Sequence, residues 1–212
     1  RMTMTLTSRI TASTGMDNLC HAIEAYTCLQ KNPVSDAYAS AAVHMVGTYL
    51  EQAVKNGTDE EARLGMANAS TMAVAAFSNS MVGMVHAIGH ALGGICHVPH
   101  ADAMTVLLPY CMEYNMEALG NLYGELLLHF AGAEAYAEIA PADRGTAMVQ
   151  EVRNLAARLH DRCGLPVSLK ETSADPVLFE QAAAAALNDG AMLVNPMQVG
   201  KADVLEILRR AY

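Results

Sequence analysis

VHAIGHALGGICHVPH, residues 85–100, carries four of the chain's eight histidines. Its other residues are small, apolar or glycine, with no carboxylate and no lysine among them. Imidazoles set in a stretch suited to burial need partners elsewhere in the chain, because a buried polar group left alone costs free energy. His86 and His90 stand four apart, a spacing that stacks two side chains on one face of a helix. The stretch therefore reads as a helix of about Met81 to Leu92, stopped at Gly93-Gly94. An irregular bend, Cys96 to His100, follows, with Pro99 stiffening the backbone beside His100.

Outward from this point the chain reads as helix after helix. Upstream, Ser13 and Thr14 are cap candidates for a helix through Cys28, closed by Asn32-Pro33. Ser35 opens a second helix through Ala53, and a third spans Asp59 to Phe77 with acidic residues at its positive end. Downstream, helices are expected at Asp102–Glu113, Met116–His129, Ala133–Ile139, Arg144–Arg162, Pro176–Asn188 and Ala202–Ala211. Gly164-Leu165-Pro166 supplies a break. No alternating run rich in β-branched residues is long enough for a strand. The fold class is all-α, a multi-helix globular domain over residues 1–212.

Composition narrows the function classes. Hydrophobic residues make up 52% of 212, enough for a sizeable core. The formal charge of −9, with no basic run, argues against nucleic acid and against an anionic membrane surface. No apolar stretch reaches the ~18 residues of a membrane span. Five scattered cysteines without a C-x-x-C read as buried thiols of a reducing cytoplasm. Neither G-x-G-x-x-G after a strand nor G-x-x-x-x-G-K-[ST] occurs, so a nucleotide cradle is not among the motifs.

A second polar pair lies in TGMDNLCHAIEAY, residues 14–26, where Asp17 and His21 are again four apart. With His86, His90 and His100 these residues can set one carboxylate and several imidazoles around a divalent cation. Imidazole suits zinc, iron, copper or nickel, and the carboxylate adds hard-oxygen character that suits iron. A zinc protease is disfavoured, because Ala87 stands where H-E-x-x-H needs Glu. A di-iron bundle is disfavoured too, since His21-Ala-Ile-Glu24 is a reversed and single copy of the required repeat. His97 reads as a loop residue, and His44, His129 and His160 as structural or surface groups.

Five segments carry a resemblance: TASTGMDNLCHAIEAY (11–26), NPVSDAYA (32–39), AFSNSMVGMVHAIGHALGG (76–94), CHVPHADAMTVLLPYCMEYN (96–115) and ALNDGAMLVNP (186–196). Together they resemble the C-terminal helical domain of the iron-containing (group III) alcohol dehydrogenases, a domain of the dehydroquinate synthase-like fold. The resemblance implies that Asp17, His21, His86 and His100 are metal ligands, for iron with zinc as the alternative. It implies that His90 lines the cleft beside the nicotinamide, as a catalytic proton-relay or cofactor-positioning group. Histidine in the second ligand slot sets the chain apart from the zinc glycerol dehydrogenases and dehydroquinate synthases of the same fold. Two positions depart from the family pattern: Ala101 follows His100 where Gly is common, and Ala91 follows His90 where Pro is frequent.

The function implied by this resemblance is that of the metal-binding catalytic half of a cytoplasmic NAD(P)-dependent alcohol dehydrogenase interconverting alcohols with aldehydes or ketones. The family's N-terminal Rossmann-like domain, with its glycine-rich pyrophosphate loop, is expected to be missing from these residues, leaving the chain inactive alone. Loss of such a partner domain would expose apolar surface and favour a homo-oligomer. The alternative is a non-catalytic helical module with a structural metal site.

Overall fold

The computed structural model describes residues 2–212; Arg1, the first residue of the expected domain, lies outside them. The described residues form helices and turns without a strand, as the patterning requires. Helices α1 (Ser8–Thr27), α2 (Pro33–Lys55) and α3 (Glu60–Ser78) pack against one another. Helix α4 (Met84–Cys96) lies against α5 (His100–Tyr114), and α5 in turn packs on α1. Then come α6 (Met116–Ala131), the short α7 (Ala133–Glu138), α8 (Arg144–Cys163), α9 (Phe179–Ala186) and α10 (Lys201–Ala211). Helix α8 covers α6, and α9 covers the far side of α4.

Periodicity explains which faces turn inward. On α1, Met16, Leu19 and Ile23 are buried at helical spacing, and they share one core with Ile88 and Leu92 on α4 and Met104, Leu107, Leu108 and Met112 on α5. Small residues let the first three helices approach closely. Gly15 is one: the Leu50 side chain occupies the place where a Cβ on residue 15 would stand, 2.2 Å from Leu50 Cδ1.

Several boundaries differ from the sequence reading, each for a local reason. Thr7 caps α1, its hydroxyl accepting from the Ile10 N–H, while Ser13 and Thr14 sit inside the helix and donate back to the Ile10 carbonyl. Asn32 opens α2, sharing a capping box with Ser35 and placing Pro33 at the first helical position. Gly93-Gly94 does not stop α4. The helix continues to Cys96, which is buried, and burial there outweighs the roughly 1 kcal/mol per glycine that a helix interior loses. The stop is made by His97 in the left-handed conformation at φ 56°, and Val98-Pro99 turn the chain into α5. His100 is thus the first residue of α5 rather than part of a bend. Gly164 ends α8 at φ 70°, as its place before Leu165-Pro166 foretold. None of the helices is long and apolar enough to cross a membrane, and the five cysteines are free thiols, four of them buried.

Candidate metal centre

Helix α1 presents a second stripe beside its apolar one. Asp17, His21 and Glu24 recur at i, i+4 and i+7 and face the start of α4 and the turn into α5. The chain brings together the four residues expected as ligands. His21 Nδ1 stands 3.8 Å from Asp17 Oδ2, His86 Nε2 3.8 Å from Asp17 Oδ1, and His100 Nε2 3.5 Å from the same oxygen. One donor atom from each of Asp17, His21, His86 and His100 lies within 4.8 Å of all the others.

These separations are too long for hydrogen bonds and short enough for a shared cation. Among the described residues four buried side-chain polar atoms lack a hydrogen-bond partner, and three of them are Asp17 Oδ1, His21 Nδ1 and His86 Nε2. Each such atom costs on the order of 1–3 kcal/mol when nothing binds it. Three orphaned acceptors converging from two helices, α1 and α4, fit a divalent ion, and the donor set, one carboxylate with three imidazoles, fits iron or zinc.

The electrostatics agree with the geometry. Burial pushes the His21 imidazole down to about 4, so at neutral pH it is the uncharged form that donates a lone pair. Phe77 stacks on that ring with centroids 4.6 Å apart and helps to keep water off it. Burial alone would raise the Asp17 carboxyl, yet His100, His21 and His86 outweigh it and hold it below its ordinary value. His100, which is exposed, is raised by the Asp17 carboxylate beside it.

His90 lies next to the cluster without joining it. Its half-exposed ring is stacked 5.5 Å from His100 and lies edge-on, 5.8 Å from His86. Nδ1 of His90 meets Asp189 Oδ2 at 2.9 Å, and the other oxygen of Asp189 caps the 3-10 turn Gly190–Val194. A cleft of about 440 Å³ between the N-terminal segment and α3 opens onto Asp17 and His21, with Thr14, Met66, Val74 and Phe77 in its walls. The remaining histidines do as the sequence reading held. His97 is an exposed helix end, His44 bonds the His129 carbonyl at 3.1 Å, and His160 bonds the Leu165 carbonyl at 2.8 Å.

Two site residues escaped the sequence reading. Asp189 lies 99 positions from His90, and nothing in its spacing points there. Glu24 had a signal that was read for another purpose: it extends the Asp17–His21 stripe by one turn. It is 6% exposed, and its carboxylate contacts both the Val85 amide and the His86 ring.

Fold and site define a helical domain that gathers an aspartate and three histidines at metal-ligand spacing beside an open cleft. The chain belongs to the Fe-containing alcohol dehydrogenase family, whose C-terminal sequence profile matches residues 11–212. It is 36% identical over 205 residues to alcohol dehydrogenase 4 of Saccharomyces cerevisiae, covering 96% of this chain and 50% of that protein. It is likewise 36% identical over 203 residues to 1,3-propanediol dehydrogenase of Citrobacter freundii, covering 96% and 51%. The solved alcohol dehydrogenase from Oenococcus oeni superposes with a TM-score of 0.91 at 32% identity, over 99% of this chain and 53% of that one. The chain thus spans about half the length of the curated relatives it matches.

Proposed function

We propose that this chain is the metal-binding catalytic half of a cytoplasmic NAD(P)-dependent alcohol dehydrogenase, with Asp17, His21, His86 and His100 as the ligands. The observation that supports the reading is the convergence of three buried, unpartnered donor atoms on one point, in a member of an alcohol dehydrogenase family. When bound, divalent iron, with zinc as the alternative, supplies a Lewis acid that acidifies the substrate hydroxyl, and NAD(P) supplies the hydride acceptor.

The chain's own residues do the rest. Asp17 contributes the single negative charge among the four ligands, which would leave a divalent ion with net positive charge toward an oxygen substrate. His21, kept neutral by burial, donates without competing for a proton. Met66, Val74 and Phe77 offer an apolar wall for the carbon chain of a small alcohol or aldehyde. His90, with Nδ1 tied to Asp189, keeps its other ring nitrogen to take the proton released at the substrate and pass it to solvent. Binding of the cofactor pyrophosphate falls to a nucleotide-binding domain, since these 212 residues carry no glycine-rich loop.

Nitric oxide titration of the iron-loaded chain tests the reading. A catalytic site keeps an open coordination position and forms a ferrous nitrosyl with its characteristic electron paramagnetic resonance signal. A site closed by protein ligands gives none, and a purely structural metal would then replace this function. The same preparation given NADH and an aldehyde is expected to show no turnover; rates near those of a full-length relative would contradict the division of labour.

A further inference from the structure

Helix α4 begins without a cap of its own. Its N-cap residue, Gly83, has no side chain, and the first amides of any helix lack partners within it. Glu24 of α1 fills the gap: Oε1 accepts from the Val85 N–H at 2.7 Å. Gly83 is what admits it, because a Cβ at that position would stand 2.9 Å from Glu24 Oε1. The second carboxylate oxygen accepts from His86 Nδ1 at 2.5 Å. Beside Glu24 lies a small cavity of about 10 Å³, roughly the room of one water, with Thr27, Tyr123 and the Asn115–Asn195 pair as well as apolar side chains in its lining. The two asparagine amides exchange hydrogen bonds of 3.0 Å each way and close this side of the carboxylate.

A carboxylate offers only acceptors, so a His86 ring that carries one proton must hold it on Nδ1. Nε2 then carries the lone pair, and Nε2 is the atom that faces Asp17 with no hydrogen-bond partner. We propose that Glu24 is a positioning residue: it holds His86 in the tautomer that presents Nε2 to the cluster, and thereby sets the affinity of the site for a divalent cation. This rests on the assignment of Asp17, His21, His86 and His100 as ligands. Outer carboxylates of this kind govern both the orientation and the basicity of a ligating imidazole.

Glu24→Gln separates charge and tautomer from shape. An amide has one acceptor oxygen, so either orientation sets its NH2 against a donor, the Val85 N–H or the His86 Nδ1–H. The backbone amide cannot give up its proton, whereas the ring can move its own to Nε2. The variant therefore turns His86 into the tautomer that blocks the site. Nitrogen-15 shifts of the histidines, in metal-free protein near pH 8, read this directly. His86 of the parent is expected protonated at Nδ1, and that of Glu24→Gln at Nε2. Fe2+ titration is expected to show binding weakened roughly 10- to 100-fold in the variant.

A parent His86 protonated at Nε2 overturns the proposal even if the variant does not fold. Undiminished Fe2+ affinity in a folded Glu24→Gln chain overturns this proposal alone. A parent that binds no Fe2+ overturns the ligand assignment, and the present inference with it.

Discussion

Replacing His21 by Phe in the metal-free chain should make the fold less sensitive to acid. In the native fold burial holds the His21 imidazole at about 4, against an ordinary 6.5. Between those values the unfolded chain binds a proton that the folded chain refuses, so stability falls as the pH falls. Two and a half pH units at 1.36 kcal/mol each amount to about 3 kcal/mol, lost between pH 6.5 and pH 4. His21 is only 15% exposed, so solvent screening takes little from this figure.

His100 acts with the opposite sign: its raised value adds stability that is present below 6.5 and lost as the pH rises through its folded value. Asp17, held low, loses its contribution only below its ordinary value of 3.8. Both groups remain in His21→Phe, so above the ordinary Asp17 value of 3.8 the difference between variant and parent reports mainly the buried imidazole. A phenyl ring on Phe77 keeps the apolar contact and takes no proton. Urea denaturation in the presence of a chelator, followed by far-ultraviolet circular dichroism at steps from pH 7 to pH 4, gives both stabilities. The variant is expected to gain on the parent steadily below pH 6.5, by about 3 kcal/mol in total. Two curves that run parallel over this range would refute the argument that His21 is buried in its neutral form.

Two further substitutions probe the frame. Gly145→Ala puts a Cβ 2.5 Å from the backbone oxygen of Gly120, an atom that cannot swing aside. Overpacking of about 1–3 kcal/mol exceeds the ~1 kcal/mol gained in helix propensity. A thermal melt should fall by roughly 2–8 °C, and a rise would show that α6 and α8 are looser than the structure states. Arg63→Met removes a buried guanidinium that bonds the Leu6 carbonyl at 3.0 Å, the Gly57 carbonyl at 2.9 Å and the Thr11 hydroxyl at 2.6 Å. At about 2 kcal/mol for each bond to a charged donor, residues 2–7 should become the first site of limited proteolysis; an unchanged cleavage pattern would assign their order to other contacts.

The helical architecture could be read from the sequence because the signals are local: caps, breakers and apolar stripes act within one or two turns. The same locality explains the errors. Ser13 and Thr14 look like caps until Thr7 is seen to occupy that role. Gly93-Gly94 looks like a stop until the core is seen to hold Cys96. The four expected ligands were legible as the i, i+4 pair Asp17–His21, one member of the i, i+4 pair His86–His90, and His100 beside a proline, and the fold gathers those four. What the sequence could not show is who stands behind the histidines. Glu24 reaches His86 across 62 positions and Asp189 reaches His90 across 99, so both contacts depend on how helices dock, not on spacing.

Elemental analysis of the chain purified without oxygen and dialysed against Fe2+ bears on all of this at once. About one iron per chain is expected in the parent, falling below roughly a tenth of that in Asp17→Ala and in His100→Ala, with helicity retained in both. No iron in the parent, or equal iron in all three proteins, would contradict the assignment of these residues to a metal.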